Sequence, residues 1–198
     1  MSCETGAGEP RLNPRTRRVR EAILATAIEV LLARGAHEVT ASRVAEQADV
    51  ARTTVYRHWP DQRSLLLATI DALTSPHDPT PNVGSLVADL RIVLEQLRTR
   101  LVAREVRSVF GALGAHAARD EAFSAAQRRF VHLLIQPAVG VLEEAQRRGE
   151  LGPDIDCTFE ATLLAGPVLH QHLALHDKIT DGFIDEITRR WLATHDLD

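Results

Sequence analysis

The sequence predicts an all-α chain in two parts, a small N-terminal three-helix domain and a larger C-terminal helical body. Three observations predict it. Apolar residues recur at helical spacing along most of the 198 residues, with no sustained alternation of the kind a half-buried strand needs. Aromatic residues are only 4% of the chain, so the side chains that strands favour are scarce. The stretch from Val39 to Leu67 reads as two short helices, a tight turn between them, and the start of another helix. No internal repeat is visible.

Taken in order, residues 1–14 carry glycine, proline and polar side chains and read as a disordered tail leading into basic residues. Arg11, Arg15, Arg17 and Arg18 form that basic run, which is either a solvated cluster or an arm toward a polyanion. The first helix spans about Thr16 to Arg34 and stops at Gly35, a natural C′ residue. Val19, Ile23, Ala27, Val30 and Leu31 give it one buried face. Thr40 is placed to cap the second helix, its hydroxyl accepting an orphan N–H. Val39 and Val44 stand at the N′ and N4 positions of a hydrophobic staple. Val44, Ala45 and Ala48 share a face, and the helix stops near Asp49, a small acidic residue that tolerates a left-handed turn. Val50 returns to the core, and Ala51 opens a third helix, Arg52 to His58, with Val55 inward. Trp59 closes this small core, Pro60 breaks the helix, and Asp61 caps the next, which holds Leu65, Leu66, Leu67, Ile70 and Leu73.

Ser75 to Gly84 holds three prolines and no helical pattern, so it reads as a connector. Beyond it, Ser85 to about Ala103 shows Leu86, Leu90, Val93, Leu94, Leu97 and Leu101 at helical spacing. Glu105 to Ala118 carries Val106, Val109, Phe110 and Leu113. Asp120 to Arg148 is a long helix with a kink expected at Pro137, ended by Gly149. Asp156 caps a helix from Cys157 to His176 interrupted by Gly166-Pro167, and Asp181 caps the last. Leu163, Leu164, Val168, Leu169, Leu173 and Leu175 cover too much of a circumference for one buried side. A fully buried helix or an oligomer interface explains this, and the interface is the expectation.

The outward residues of the third helix carry the function. A solvated helix normally presents Glu, Lys and Gln, which are good helix formers. Here Arg52, Thr53, Thr54, Tyr56, Arg57 and His58 face outward, with no acid among them. These are donors to phosphates and base edges, and threonine methyls suit the thymine methyl. The pattern reads as a helix-turn-helix whose recognition helix is Arg52 to His58. Charge agrees by its distribution, although the whole chain carries −4. Pro10 to Pro60 holds nine Arg against five acids, while the chain from Asp61 holds 14 basic and 20 acidic residues. A basic module on an acidic body keeps nucleic-acid contact at one end.

This motif resembles the DNA-binding domain of TetR-family transcriptional regulators, through Thr40, Val44, Ala45, Ala48, Val50, Thr54, Tyr56, His58, Trp59, Pro60 and Leu65. Asp49 stands where Gly is common, Ala51 where a capping Ser is common, and Gln62 where a phosphate-binding Lys is common, with Arg63 beside it as a substitute. The DNA-contacting set on this reading is Arg18, Thr40, Ser42, Arg43, Arg52, Thr53, Thr54, Tyr56, Arg57, His58 and Arg63. The resemblance implies residues 15–60 as the DNA-binding domain and 61–198 as a ligand-binding and dimerisation domain, opened by a connecting helix over 61–74. It implies a homodimer through the last two helices, a palindromic double-stranded operator, and a small-molecule effector among the central helices. Leu97, Leu101, Phe110, Leu113, Phe123, Phe130, Leu134 and Val168 are the candidates to line an effector site, and each also reads as ordinary core packing. Arg100, Arg104 and Arg107 are candidates to meet an anionic ligand or to be solvated. The implied function is repression relieved by the effector; an activator of the same fold and a helical interaction module are the alternatives.

Other classes find little support. No Gly-rich phosphate loop, G-x-S-x-G or H-E-x-x-H is present, so no enzyme and no cofactor is expected. His172 and His176 have the i, i+4 spacing of metal ligands but no third ligand fixed beside them, and read as surface or interface histidines. Two cysteines are too few for a disulfide framework. No run approaches the ~18 apolar residues of a membrane span, and the N-terminus lacks a secretory signal core, so a cytoplasmic protein is expected.

Overall fold

The structure, a computed structural model, describes residues 13–74 and 80–197. Among these residues there are nine α-helices and no strand. The chain divides into two compact units, residues 1–73 and 74–198.

The N-terminal unit holds α1 (Pro14–Arg34), α2 (Ala41–Gln47), α3 (Arg52–His58) and α4 (Gln62–Leu73). Residues 1–12 of the predicted tail lie outside the described residues, and its last two residues begin α1 instead. Asn13 caps the helix by accepting from the Arg15 N–H at 3.0 Å, and Pro14 sits at the first turn, where a missing N–H costs nothing. Ile23, Leu24, Ala27, Val30 and Leu31 form the buried face. Gly35 then takes φ +89°, which only glycine adopts without strain. α4 was expected to go with the C-terminal body; by packing it belongs here, because Leu65, Leu66, Thr69 and Ile70 are buried and the helix lies on α1. Asp61 starts it as expected, accepting from the Ser64 N–H at 2.7 Å.

The second unit holds α5 (Leu86–Val102), α6 (Arg104–Ala117), α7 (Glu121–Arg148), α8 (Cys157–Leu169) and α9 (Asp181–Thr194). Residues 75–79 of the predicted connector lie outside the described residues. α7 packs on α5, α6 and α8, and α5 and α8 both meet α9. Asp120 caps α7 through the Ala122 N–H at 2.9 Å, and Gly149 ends it at φ +78°. Gly140 lets the chain before α5 lie on α7, since a Cβ there would stand 2.7 Å from Thr80 Oγ1.

A buried charge group ties the start of α5 to the end of α7. Asp89 is fully buried, accepts from the Val83 N–H at 2.7 Å, and meets Arg148 at 3.2 Å. Arg148 also bonds Glu150 and Asn82, and Glu150 accepts from the Leu86 N–H at 2.7 Å, capping α5 from 64 residues away. The Arg148 contact comes first in holding the Glu150 carboxyl below its usual range, followed by the Leu86 N–H.

Two expectations change at the end of the chain. The helix from Cys157 is not interrupted at Gly166-Pro167; it runs through both to Leu169 and then widens into a π-helical turn, His170–Ala174. Pro167 removes one N–H from the ladder, and the widened turn follows within a few residues. The cap of α9 is Thr180 rather than Asp181, its hydroxyl accepting from the Phe183 N–H at 3.2 Å. α8 and α9 are clamped by Trp191, whose indole N–H donates to Glu160 at 2.7 Å, with His195 3.2 Å from the same carboxylate. On the far side of α8, Phe159 and Leu163 are 59% and 50% exposed.

Candidate nucleic-acid interface

The candidate interface is built by α2, the turn after it and α3. Thr40 caps α2, accepting from the Arg43 N–H at 3.3 Å, and Val39 and Val44 are both fully buried as the staple requires. Ala45 accepts from the Val50 N–H across the turn, with Asp49 left-handed at φ +51°. That conformation suits a short polar side chain that can bond locally, which is why aspartate replaces glycine here at little cost. Val50 and Val55 then fix the azimuth of α3, Val55 being fully buried.

With Val55 inside, Arg52, Thr53, Tyr56 and Arg57 are exposed and Thr54 is half-buried. Arg52 and Tyr56 form an i, i+4 pair: the guanidinium lies 5.9 Å from the ring centroid and Nη2 reaches the hydroxyl at 3.5 Å. Ser42 and Arg18 are exposed, and Arg43 is held by Glu38 at 2.5 Å, so a DNA contact by Arg43 would compete with that ion pair. Arg63, exposed at the start of α4, stands beside Gln62, whose amide donates to the His37 carbonyl at 3.3 Å.

His58 departs from the outward reading. Its ring lies 5.5 Å from that of Trp59, and its Nε2 is buried with no hydrogen-bond partner among the described residues. Burial, then the positive charges of Arg57 and Arg20, hold its pKa below the ordinary histidine value. Arg20 also stacks over Trp59 at 5.4 Å, a contact between α1 and the end of α3 that sequence spacing did not suggest. The signal available was the position of Arg20, three residues before Ile23 and so on the buried face of α1.

α3 starts without a side-chain cap, because Ala51 stands at the N-cap position. Ala51→Ser is therefore expected to raise the stability of this unit by about 0.5–2 kcal/mol. The urea midpoint of the variant checks it; an unchanged or lower midpoint would show that the first turn of α3 is already satisfied.

The candidate effector residues divide differently. Phe110 is half-buried, lies edge-on to Phe130 at 5.3 Å, and lines a pocket with Arg107, Gly111, His172, Leu173 and His176. Leu97, Leu101, Leu113, Phe123, Phe130, Leu134 and Val168 are buried in helix packing. His172 and His176 reach this pocket, and no group of three or more metal-ligating side chains forms among the described residues. Cys157 is buried and free. No helix among the described residues is long and apolar enough to cross a membrane.

Comparison with known proteins agrees with this geometry. Residues 23–69 match the model of bacterial regulatory proteins of the tetR family. Residues 80–191 match that of the tetracyclin repressor-like C-terminal domain. The uncharacterized HTH-type transcriptional regulator YdeS of Bacillus subtilis (strain 168) is 27% identical over 177 residues, 89% of each chain. The DNA-binding transcriptional repressor TetR of Mycobacteroides abscessus is 31% identical over 170 residues, 84% of this chain and 87% of that one. The crystal structure of a TetR transcriptional regulator from Agrobacterium tumefaciens shares the fold, with TM-score 0.73 at 19% identity over 90% of this chain and 94% of that one. Regulators of this kind are non-enzymatic, bind DNA and act as dimers, generally as repressors. With both units matched and the outward face of α3 free of acids, the chain belongs to the TetR family of helix-turn-helix transcriptional regulators.

Proposed function

We propose that this chain is a cytoplasmic repressor that binds a palindromic operator as a homodimer and leaves it when a small-molecule effector enters the C-terminal unit. The observation that carries the reading is the outward face of α3, where Arg52, Thr53, Tyr56 and Arg57 are exposed around a fully buried Val55. Arg52, Thr53 and Thr54 take the base edges, while Arg18, Thr40, Ser42, Arg43, Tyr56, Arg57 and Arg63 hold phosphates and His58, turned toward Trp59, supports the end of α3. α8 and α9 form the dimer interface, which sets the two recognition helices about one turn of B-DNA apart, roughly 34–36 Å. Exposed Phe159 and Leu163 on α8 support that interface.

Selection of bound fragments from genomic DNA tests the reading and yields the operator. A recovered palindrome supports it; recovery of fragments without a shared sequence contradicts it. On that operator, Arg57→Gln is expected to weaken binding and to lessen the slope of log affinity against log salt by about 1 for each subunit, because one phosphate contact no longer releases its counterion. A slope equal to that of the wild type would remove Arg57 from the phosphate set.

A further inference from the structure

We propose that the pocket between α6 and the π-helical turn binds a small organic acid, a carboxylate carried on an apolar body of one or two rings. This rests on the reading of the chain as an effector-controlled regulator and names the class of the effector. The pocket has a volume of about 370 Å³, near the lower end for small-molecule sites. α6 contributes Arg107, Phe110 and Gly111, one helical face; His172 and Leu173 come from the π-helical turn and His176 from just after it.

The lining is basic and apolar, with no acid in it. Arg107 is exposed and has no carboxylate partner among the described residues, whereas Arg98, Arg148 and Arg189 are all paired. A guanidinium holds a carboxylate through two parallel N–H···O bonds, and an imidazole offers an N–H donor in either tautomer. Phe110 and Leu173 supply the apolar wall, and Phe110 is held in place by its edge contact with Phe130. An inorganic anion would leave that wall uncovered. A neutral apolar molecule would take water from Arg107 and give no acceptor in return, which is costly. A carboxylate with a ring system answers both ends.

The backbone at the same place is unusual. His176 sits at φ +56°, and five residues before it the helix is π-wound. Non-glycine left-handed residues and π turns both persist only where surroundings hold them, and both are frequent at functional positions. A second cavity of about 350 Å³ shares His172 and His176, but its lining includes the acid Asp177, and its Arg98 is already paired with Asp181. The uncompensated positive lining is on the Arg107 side.

Calorimetric titration of the full chain with 2-naphthoate, 2-naphthamide and inorganic phosphate tests the proposal. Naphthoate should bind about tenfold or more tightly than the isosteric neutral amide, and more tightly than phosphate. Arg107→Gln should remove that preference and Arg107→Lys should restore part of it. Gly111→Leu should abolish binding by filling the pocket, and a Cβ there meets nothing within 4 Å, so the helix is not disturbed. Unaltered operator binding by these variants confirms that they are folded. No naphthoate binding, equal binding of acid and amide, or full affinity in Arg107→Gln would each overturn the proposal. Naphthoate bound through Arg107 without release of operator would support the pocket assignment and contradict the ligand-released reading instead.

Discussion

A Phe159→Glu, Leu163→Glu double variant is expected to sediment as a monomer and to lose operator affinity by about 10²–10⁴-fold, the avidity that linking two half-site readers supplies. The two side chains lie one turn apart on α8 and are 59% and 50% exposed in the protomer. Their replacement therefore leaves the protomer's own core intact, since Ala161, Leu164, Ala165 and Val168 still carry the inward face. In a dimer formed through α8 and α9, as proposed, the same positions would become buried, and an unpaired carboxylate there is strongly unfavourable. Circular dichroism should be unchanged while sedimentation shifts. A double variant that remains a dimer with native operator affinity would place the subunit interface elsewhere.

The parts of the fold that were readable from sequence are those fixed by neighbours along the chain. The Thr40 cap, the Val39–Val44 staple, left-handed Asp49 and inward Val55 involve residues a few positions apart, and all stand as read. The ends of α1 and α7 were legible for the same reason, because Gly35 and Gly149 answer a local backbone need. The cap of α9 was not, since Thr180 and Asp181 are both good N-cap residues and only hydrogen-bond geometry separates them. The Asp89–Arg148 pair joins positions 59 apart, which no periodicity reveals. α8 continues through Pro167 and a widened turn follows it, an adjustment of the ladder that the usual helix-breaking effect of proline does not foretell. The outward residues of α3 were legible as a set, but His58 was misplaced by helical spacing alone, because packing against Trp59 draws its ring inward. Arg52 and Tyr56 read as two independent outward residues, whereas their i, i+4 spacing brings them into contact.

That contact sharpens the second large expectation, which concerns how α3 divides its work. A base contact is worth about 1–3 kcal/mol of discrimination at one position, whereas a phosphate contact weakens all sequences alike when lost. Thr53 is exposed near the start of α3 and its hydroxyl has no partner among the described residues, so Thr53→Ala removes a reader and little else. Arg52→Ala should also narrow the gap between operator and random DNA, and it frees Tyr56 as well. Tyr56→Phe keeps the ring beneath Arg52 and deletes only the hydroxyl, so it should lower affinity for both DNAs by similar factors.

The central claim, that α3 lies in the major groove and reads base edges, is tested most directly by titrating the Thr53→Ala protein against operator and against random DNA at one fixed salt concentration. The expected result is a ratio of the two affinities reduced by about 5–150-fold for each half-site, with random-DNA binding unchanged. An unchanged ratio, with both affinities equal to those of the wild type, would contradict the placement of this helix in the groove.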